Sequence, residues 1–213
     1  MMIVCPTKPQ KGDTMKYNSL NNGELELTTE GLFPIGEKVH YRKSRFRHGR
    51  LGSVYVVDDN EASRNAAARC FATMLEDVDT EVYVFTDNVA AFSDLSQDHV
   101  INLSDGANKL VDFCNEMEER FFTLMSDMQF TMDDYNAKHP DDVKKTVYIV
   151  IDSLGKYMDA SADIAYPLIR ITQKGRAAGV NVVACSSRLP TNDYEKFIRG
   201  NCMVNLWADG VNV

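Results

Sequence analysis

Residues 54 to 68 read VYVVDDNEASRNAAA: an apolar, β-branched run stops at two aspartates, and an alanine-rich helical stretch follows. Strand, tight loop and helix in that order make the frame of a phosphate-binding loop, whose working form is G-x-x-x-x-G-K-[ST]. There the glycines let backbone N–H groups wrap the phosphates, the lysine reaches the β- and γ-phosphates, and the hydroxyl holds Mg²⁺. On that frame this chain reads Asp58-Asp59-Asn60-Glu61-Ala62-Ser63-Arg64-Asn65. Asp58 replaces the first glycine, Ser63 the second, Arg64 the lysine and Asn65 the hydroxyl residue. Asp58, Asp59 and Glu61 also put negative charge where a polyphosphate would sit. Like charges that close cost on the order of several kcal/mol in a partly buried site, and Arg64 offsets only one of them. Taken alone, the segment reads equally well as an ordinary α/β loop that never bound a nucleotide.

A second acidic position closes the apolar run TVYIVIDS (146 to 153), which has the form of a Walker B strand. In that role Asp152 supports Mg²⁺, and the next residue is a glutamate that activates the attacking water. Here the next residue is Ser153, which cannot act as that base at neutral pH. Metal support could persist in such a site while the hydrolytic base is gone.

Four apolar runs, 53 to 58, 81 to 86, 146 to 152 and 180 to 186, have the unbroken character of parallel strands buried on both faces. HVINL (99 to 103) and CMVNLW (202 to 207) are a fifth and a sixth candidate. Helical stretches are expected at 61–76, 105–138 and 161–178, the last ending at Gly179, a suitable residue just past a helix end. This rhythm predicts an α/β fold, an open and mainly parallel sheet with helices on both faces, after a short β-rich N-terminal segment. In the long helix, Leu110, Cys114, Met117, Phe121, Leu124 and Met128 recur at spacings of three and four, a stripe expected to be core. Met125, Met128 and Met132 cluster near its end; such clusters can form adaptable peptide grooves, but core is the leading reading.

The chain has 213 residues, 44% of them hydrophobic, enough for one sizeable core. Its net charge is −8, which disfavours non-specific nucleic-acid binding by the whole surface. The first 52 residues carry nine Lys or Arg against five Asp or Glu, a net of +4 that leaves −12 for the remainder. The basic run HYRKSRFRHGR (40 to 50) could suit nucleic acid or anionic lipid, but one solvated face of an edge hairpin explains it as well. Cys5, Cys70, Cys114, Cys185 and Cys202 are scattered, which reads as reduced thiols in a cytosolic compartment. No stretch is long and apolar enough to span a bilayer, and the start MMIVCPTKPQKG lacks the apolar region of a signal peptide. Any membrane attachment is expected to come from another part of a larger chain.

The most specific stretch is RITQKGRAAGVNVVACSSRLPTNDYEKFIRGNCMVNLW (170 to 207). It resembles the FtsK/SpoIIIE-type ATPase family in the order of Arg176-Ala177-Ala178-Gly179, an apolar strand, Ser187-Arg188-Leu189-Pro190, and Phe197-Ile198-Arg199-Gly200-Asn201. GLFPIGEKV before the first strand and the acidic helix DGANKLVDFCNEMEERFFTLM resemble the FtsK-type domains of type VII secretion motors, the EssC-type branch. The resemblance covers about residues 30 to 207. It implies a P-loop NTPase-like (RecA/FtsK-like) domain over 31–213 behind a linker at 1–30. Related domains run on past the last strand, so the final elements are expected to be absent or trimmed here.

The branch implies the third, C-terminal ATPase-like domain of a motor, often degenerate in both Walker motifs. On that basis no cofactor is expected, although ATP and Mg²⁺ serve the wider family. The expected function is a pseudo-ATPase domain of a membrane-anchored bacterial motor, cytoplasmic, that docks secreted substrate proteins or biases neighbouring ATPase domains of the same chain, with oligomers in the full-length protein. Arg188 and Arg199 lie where active relatives sense phosphate or reach a neighbouring subunit; with no nucleotide they are expected to be surface or interface charges. The alternative is a weakly active or subunit-completed NTPase relying on Arg64 and Asp152. A DNA-translocase fragment is less favoured by the acidic balance.

Overall fold

The computed structural model describes residues 18–20, 24–26, 39–43, 52–75, 80–93, 95–160 and 162–208. Two short strands, β1 (Asn18–Leu20) and β2 (Glu24–Glu26), pair antiparallel within the N-terminal segment expected to be β-rich. The main sheet contains β3 (Val39–Lys43), β4 (Val54–Val57), β5 (Thr80–Thr86), β6 (Val100–Asn102), β7 (Thr146–Ile151), β8 (Val180–Ser186) and β9 (Val204–Ala208). Their order is β3-β9-β4-β8-β7-β5-β6, parallel throughout except that β3 runs antiparallel along β9. All six runs expected to be strands are strands. The first four residues of the basic segment, His40 to Lys43, lie in the edge strand β3, which pairs antiparallel with the last strand β9; residues 44–50 lie outside those described.

The central strands are apolar on both faces because both are covered. On one face Tyr55, Val57, Val147, Ile149, Ile151, Val182 and Ala184 pack with residues of the helices α2 (Leu103–Ser126), α4 (Leu154–Ala160), α5 (Ala165–Ala178) and α6 (Asp193–Asn201). On the other, Val54, Val56, Tyr148, Val150, Val183 and Cys185 meet Ala67, Ala68, Phe71, Ala72 and Leu75 of α1 (Glu61–Leu75). The period-two alternation along each strand supplies both cores. Burying each large side chain contributes about 1.5–3 kcal/mol. Gly175 of α5 permits one tight contact, since a Cβ there would lie 2.0 Å from the Val180 carbonyl oxygen. Gly179 ends α5 in the left-handed region at φ 70°, as expected, its N–H donating to carbonyls of the last turn.

The long helix expected over 105–138 is two helices. α2 ends at Ser126, and α3 (Met132–Lys138) restarts with Thr131 as its cap, its hydroxyl accepting from the Asp134 N–H at 3.1 Å. The end of α2 is a Schellman turn: Gln129 N–H donates to Leu124 O at 2.9 Å, Met128 N–H to Met125 O at 3.3 Å, and Met128 takes φ 54°. The core stripe therefore stops at Leu124. Leu110, Cys114, Met117 and Leu124 are buried and Phe121 partly so, whereas Met125 and Met128 are 71% and 86% exposed. Met132 is buried, but with Leu124 and Tyr135 in a separate small cluster. The expected helix at 161–178 starts later, at Ala165, and α4 before it was not anticipated.

Candidate functional site

The carboxyl ends of β4, β5, β7 and β8 share one edge of the sheet, where open α/β sheets bind their ligands. The β4 loop leaves this edge with the Asp58 N–H donating to Ser186 O at 3.0 Å. The side chain of Asp58 is 3% exposed and turns back on its own loop, accepting from the Asn60 N–H at 2.9 Å. Burial pushes its pKa up, against the pull of that hydrogen bond. Asp59, Asn60 and Glu61 are exposed, Ala62 and Ser63 lie in the first turn of α1, and Asn65 is half-buried on the same helix. Arg64 is 4% exposed, and its Nη1 donates to the Asp58 carbonyl oxygen at 2.7 Å while Nε has no partner.

Asp152 follows β7 and is also buried, with its N–H donating to Phe85 O at 3.2 Å. Thr86, at the end of β5, donates its hydroxyl to Asp152 Oδ2 at 2.5 Å. Burial raises the Asp152 pKa to about 6; the Thr86 hydrogen bond and the Lys156 and Arg64 charges oppose the rise, and Asp87 adds to it. Ser153 is buried, and its carbonyl oxygen accepts from Tyr157 N–H in the first turn of α4. Lys156 spans the mouth of the site, 3.0 Å from Asp87 and 4.0 Å from Glu61. The arrangement is two buried carboxylates with one buried guanidinium acting on both, under a rim of exposed acids and one ammonium.

No family model and no curated protein sequence matches the chain. Solved structures do. The pCW3 conjugation coupling protein TcpA, in a monomer form with ATPγS, superposes with a TM-score of 0.62 at 14% identity over 81% of this chain and 55% of that one. The cytoplasmic domain of EssC gives 0.59 at 15% identity over 74% of this chain and 33% of its own. Thermomonospora curvata EccC (ATPases 2 and 3), in complex with a signal sequence peptide, gives 0.56 at 14% over 73% and 30%.

The chain has the fold of an FtsK/SpoIIIE-type ATPase domain.

It spans about half the length of the TcpA chain and about a third of the EssC and EccC chains. Within this ATPase-type fold, the structure brings together Asp58, Arg64 and Asp152, and sets Arg188 and Arg199 apart from them. Arg188, after β8, spans α4 and α6, with its Nη2 3.3 Å from Asp159 and 3.1 Å from Glu195. Glu195 is fully buried and also accepts from Thr191 N–H at 2.8 Å. Arg188 is thus an internal tie between two helices, with its side chain about one third exposed. Arg199 is half-buried in the last turn of α6, where a cation suits the helix dipole.

Sequence reading missed Thr86, Lys156 and Glu195. Glu195 had a local signal, because Asn192 caps α6 and Glu195 sits three residues on, the spacing of a capping box. Thr86 and Lys156 had none. Among the described residues no group of three or more His, Cys, Asp or Glu is placed to hold a metal ion, and no helix is long and apolar enough to cross a membrane.

Proposed function

We propose that this domain is a non-catalytic member of a type VII secretion motor, using an ATPase fold to dock secreted proteins or to bias neighbouring ATPase domains. The observation that carries the reading is the inward-turned loop. Two donors that a phosphate would use, the Asn60 N–H and Arg64 Nη1, are bonded to Asp58 itself, and Arg64 Nε is buried. Lys156, the other nearby cation, faces Asp87 and Glu61. A polyphosphate entering here would meet the exposed acids Asp59 and Glu61, and Ser153 stands where the water-activating base belongs. The residues present do not fit Mg²⁺–ATP. The docking half of the proposal draws on the EccC neighbour, which carries a signal sequence peptide. Membrane attachment, in this reading, belongs to other parts of a longer chain.

One observation favours a second reading, a site completed by a neighbouring subunit: Asp152 is buried and held by Thr86 in the position of a metal-supporting carboxylate. Calorimetry with Mg²⁺–ATP separates the two. Binding tighter than about 100 μM, or −5.5 kcal/mol, sinks the non-catalytic proposal. Fluorescence anisotropy with duplex DNA tests the less favoured translocase reading, which strongly salt-dependent binding would revive. Capture of a secreted protein by the isolated domain, lost on adding that protein's own signal peptide, is the expected positive result for docking.

A further inference from the structure

The end of α2 away from the loop carries four large apolar side chains in water. Phe122 is 68% exposed, Met125 71%, Met128 86% and Phe130 89%, all within nine residues. Phe122 and Met125 are three apart on one helix face, and Met128 and Phe130 follow in the turn that closes it. At about 200 Å² per side chain, the four leave on the order of 600 Å² of apolar surface in solvent, at the top of the range for an ordinary monomer. Met128 adds a second sign. It holds the left-handed position of the Schellman turn, where glycine is the unstrained choice, yet its side chain packs on almost nothing.

We propose that this face docks an amphipathic helix carrying Lys or Arg beside its apolar stripe. Area argues for a short segment over a second copy of the chain, because a stable protein interface needs about 800 Å² a side. Backbone bonding argues against an added strand: the turn's Met128 and Gln129 N–H groups already donate to Met125 and Leu124. Charge sets the flanks. Glu119, Asp133 and Asp134 are exposed around the patch. The cations on the same stretch are committed. Arg120 is buried on Glu116 and the Lys145 and Ala178 carbonyls, and Lys138 pairs with Asp127. A methionine-rich face tolerates variation in the apolar sequence it receives. The surface is argued from these residues alone; that its occupant is part of a secreted protein rests on the docking reading above.

The probe is a fluorescein-labelled peptide of about fourteen residues built from Leu and Lys at helical spacing, with a Leu–Glu peptide as its partner control. Anisotropy with the whole chain is expected to show binding of the Leu–Lys peptide that weakens as salt rises, and at least tenfold weaker binding of the Leu–Glu peptide. Phe122→Ser with Phe130→Ser, both exposed and so neutral for folding by circular dichroism, is expected to lose about tenfold or more. Binding by that variant within twofold of the parent overturns the proposal, as does equal binding of the two peptides. A concentration-dependent dimer that the same double substitution abolishes would assign the face to a second copy, and overturns it too. If the double variant still captures a secreted protein that the parent captures, docking stands and this surface is wrong.

Discussion

Asp152 offers the sharpest test of how the site is built. Its pKa is raised from 3.8 to about 6 chiefly by burial, so the folded chain holds that proton more tightly than the unfolded chain does. Between those values the folded state binds more protons, and stability falls as pH rises. The favourable contribution is whole below the unfolded pKa and is lost as pH climbs through about 6. Two pKa units correspond to about 3 kcal/mol, of which about 2 kcal/mol disappears between pH 4.5 and 7.5. Asp152→Asn removes the titration and keeps an oxygen to accept from Thr86 Oγ1. Burying the amide costs about 1 kcal/mol of the gain. The variant is therefore expected to be about 1–2 kcal/mol more stable than the parent at pH 7.5, and about equal or slightly less stable at pH 4.5. Urea unfolding followed by far-UV circular dichroism at the two pH values reads the double difference, which cancels every other titrating group. A difference between variant and parent that is the same at both pH values, within about 0.5 kcal/mol, would refute the claim that burial outweighs the Lys156 and Arg64 charges at Asp152.

Met128→Gly should raise stability by about 1 kcal/mol, seen as a Tm higher by roughly 2–4 °C, since it removes left-handed strain at no packing cost; an unchanged or lower Tm counts against the Schellman assignment. Gly175→Ala should destabilise by about 2–3 kcal/mol in urea unfolding, because the new methyl meets a backbone carbonyl that cannot step aside. Arg188→Ala should cost about 2 kcal/mol by leaving the buried Glu195 carboxylate with weaker partners. In a complete motor that same substitution should leave ATP turnover unchanged, whereas a phosphate-sensing arginine would abolish it.

The parts of the fold that the sequence disclosed are those whose signal is local. VYVV and TVYIVI are legible as strands because helices cover both faces of the sheet, leaving no polar alternation to confuse the period. The break after α2 is hidden for the opposite reason. Met128 keeps the apolar spacing of the stripe while its backbone leaves the helix, and no glycine marks the turn. Thr131, with Asp134 three residues on, was the available sign of a new helix start. In the site, the loop positions follow from strand, loop and helix in sequence order. Their partners do not: Thr86 reaches Asp152 across 66 residues, and Lys156 reaches Asp87 across 69. Only the strand order that sets β5 beside β7 brings them together.

That same adjacency gives the chemistry of the edge its direction. A loop that binds phosphate must leave its donors unspent, because a donor already bonded must be freed before a ligand can use it. Here each cation near the edge has at least one acceptor within the chain: Arg64 Nη1 bonds the Asp58 carbonyl, with Nε buried and unpaired, Lys156 pairs with Asp87, and Arg188 with Glu195 and Asp159. The bonds join α1 to its own loop, α4 to β5's exit, and α4 to α6, so together they brace the rim. Three of the acceptors are carboxylates, so the rim's cations are held by the chain's own negative charge and not by a ligand's. The exposed acids Asp59 and Glu61 remain facing solvent at the same rim. On the proposed reading, a rim braced in this way is expected to change little when Mg²⁺–ATP is added, which hydrogen exchange of α1 and α4 with and without the nucleotide would check.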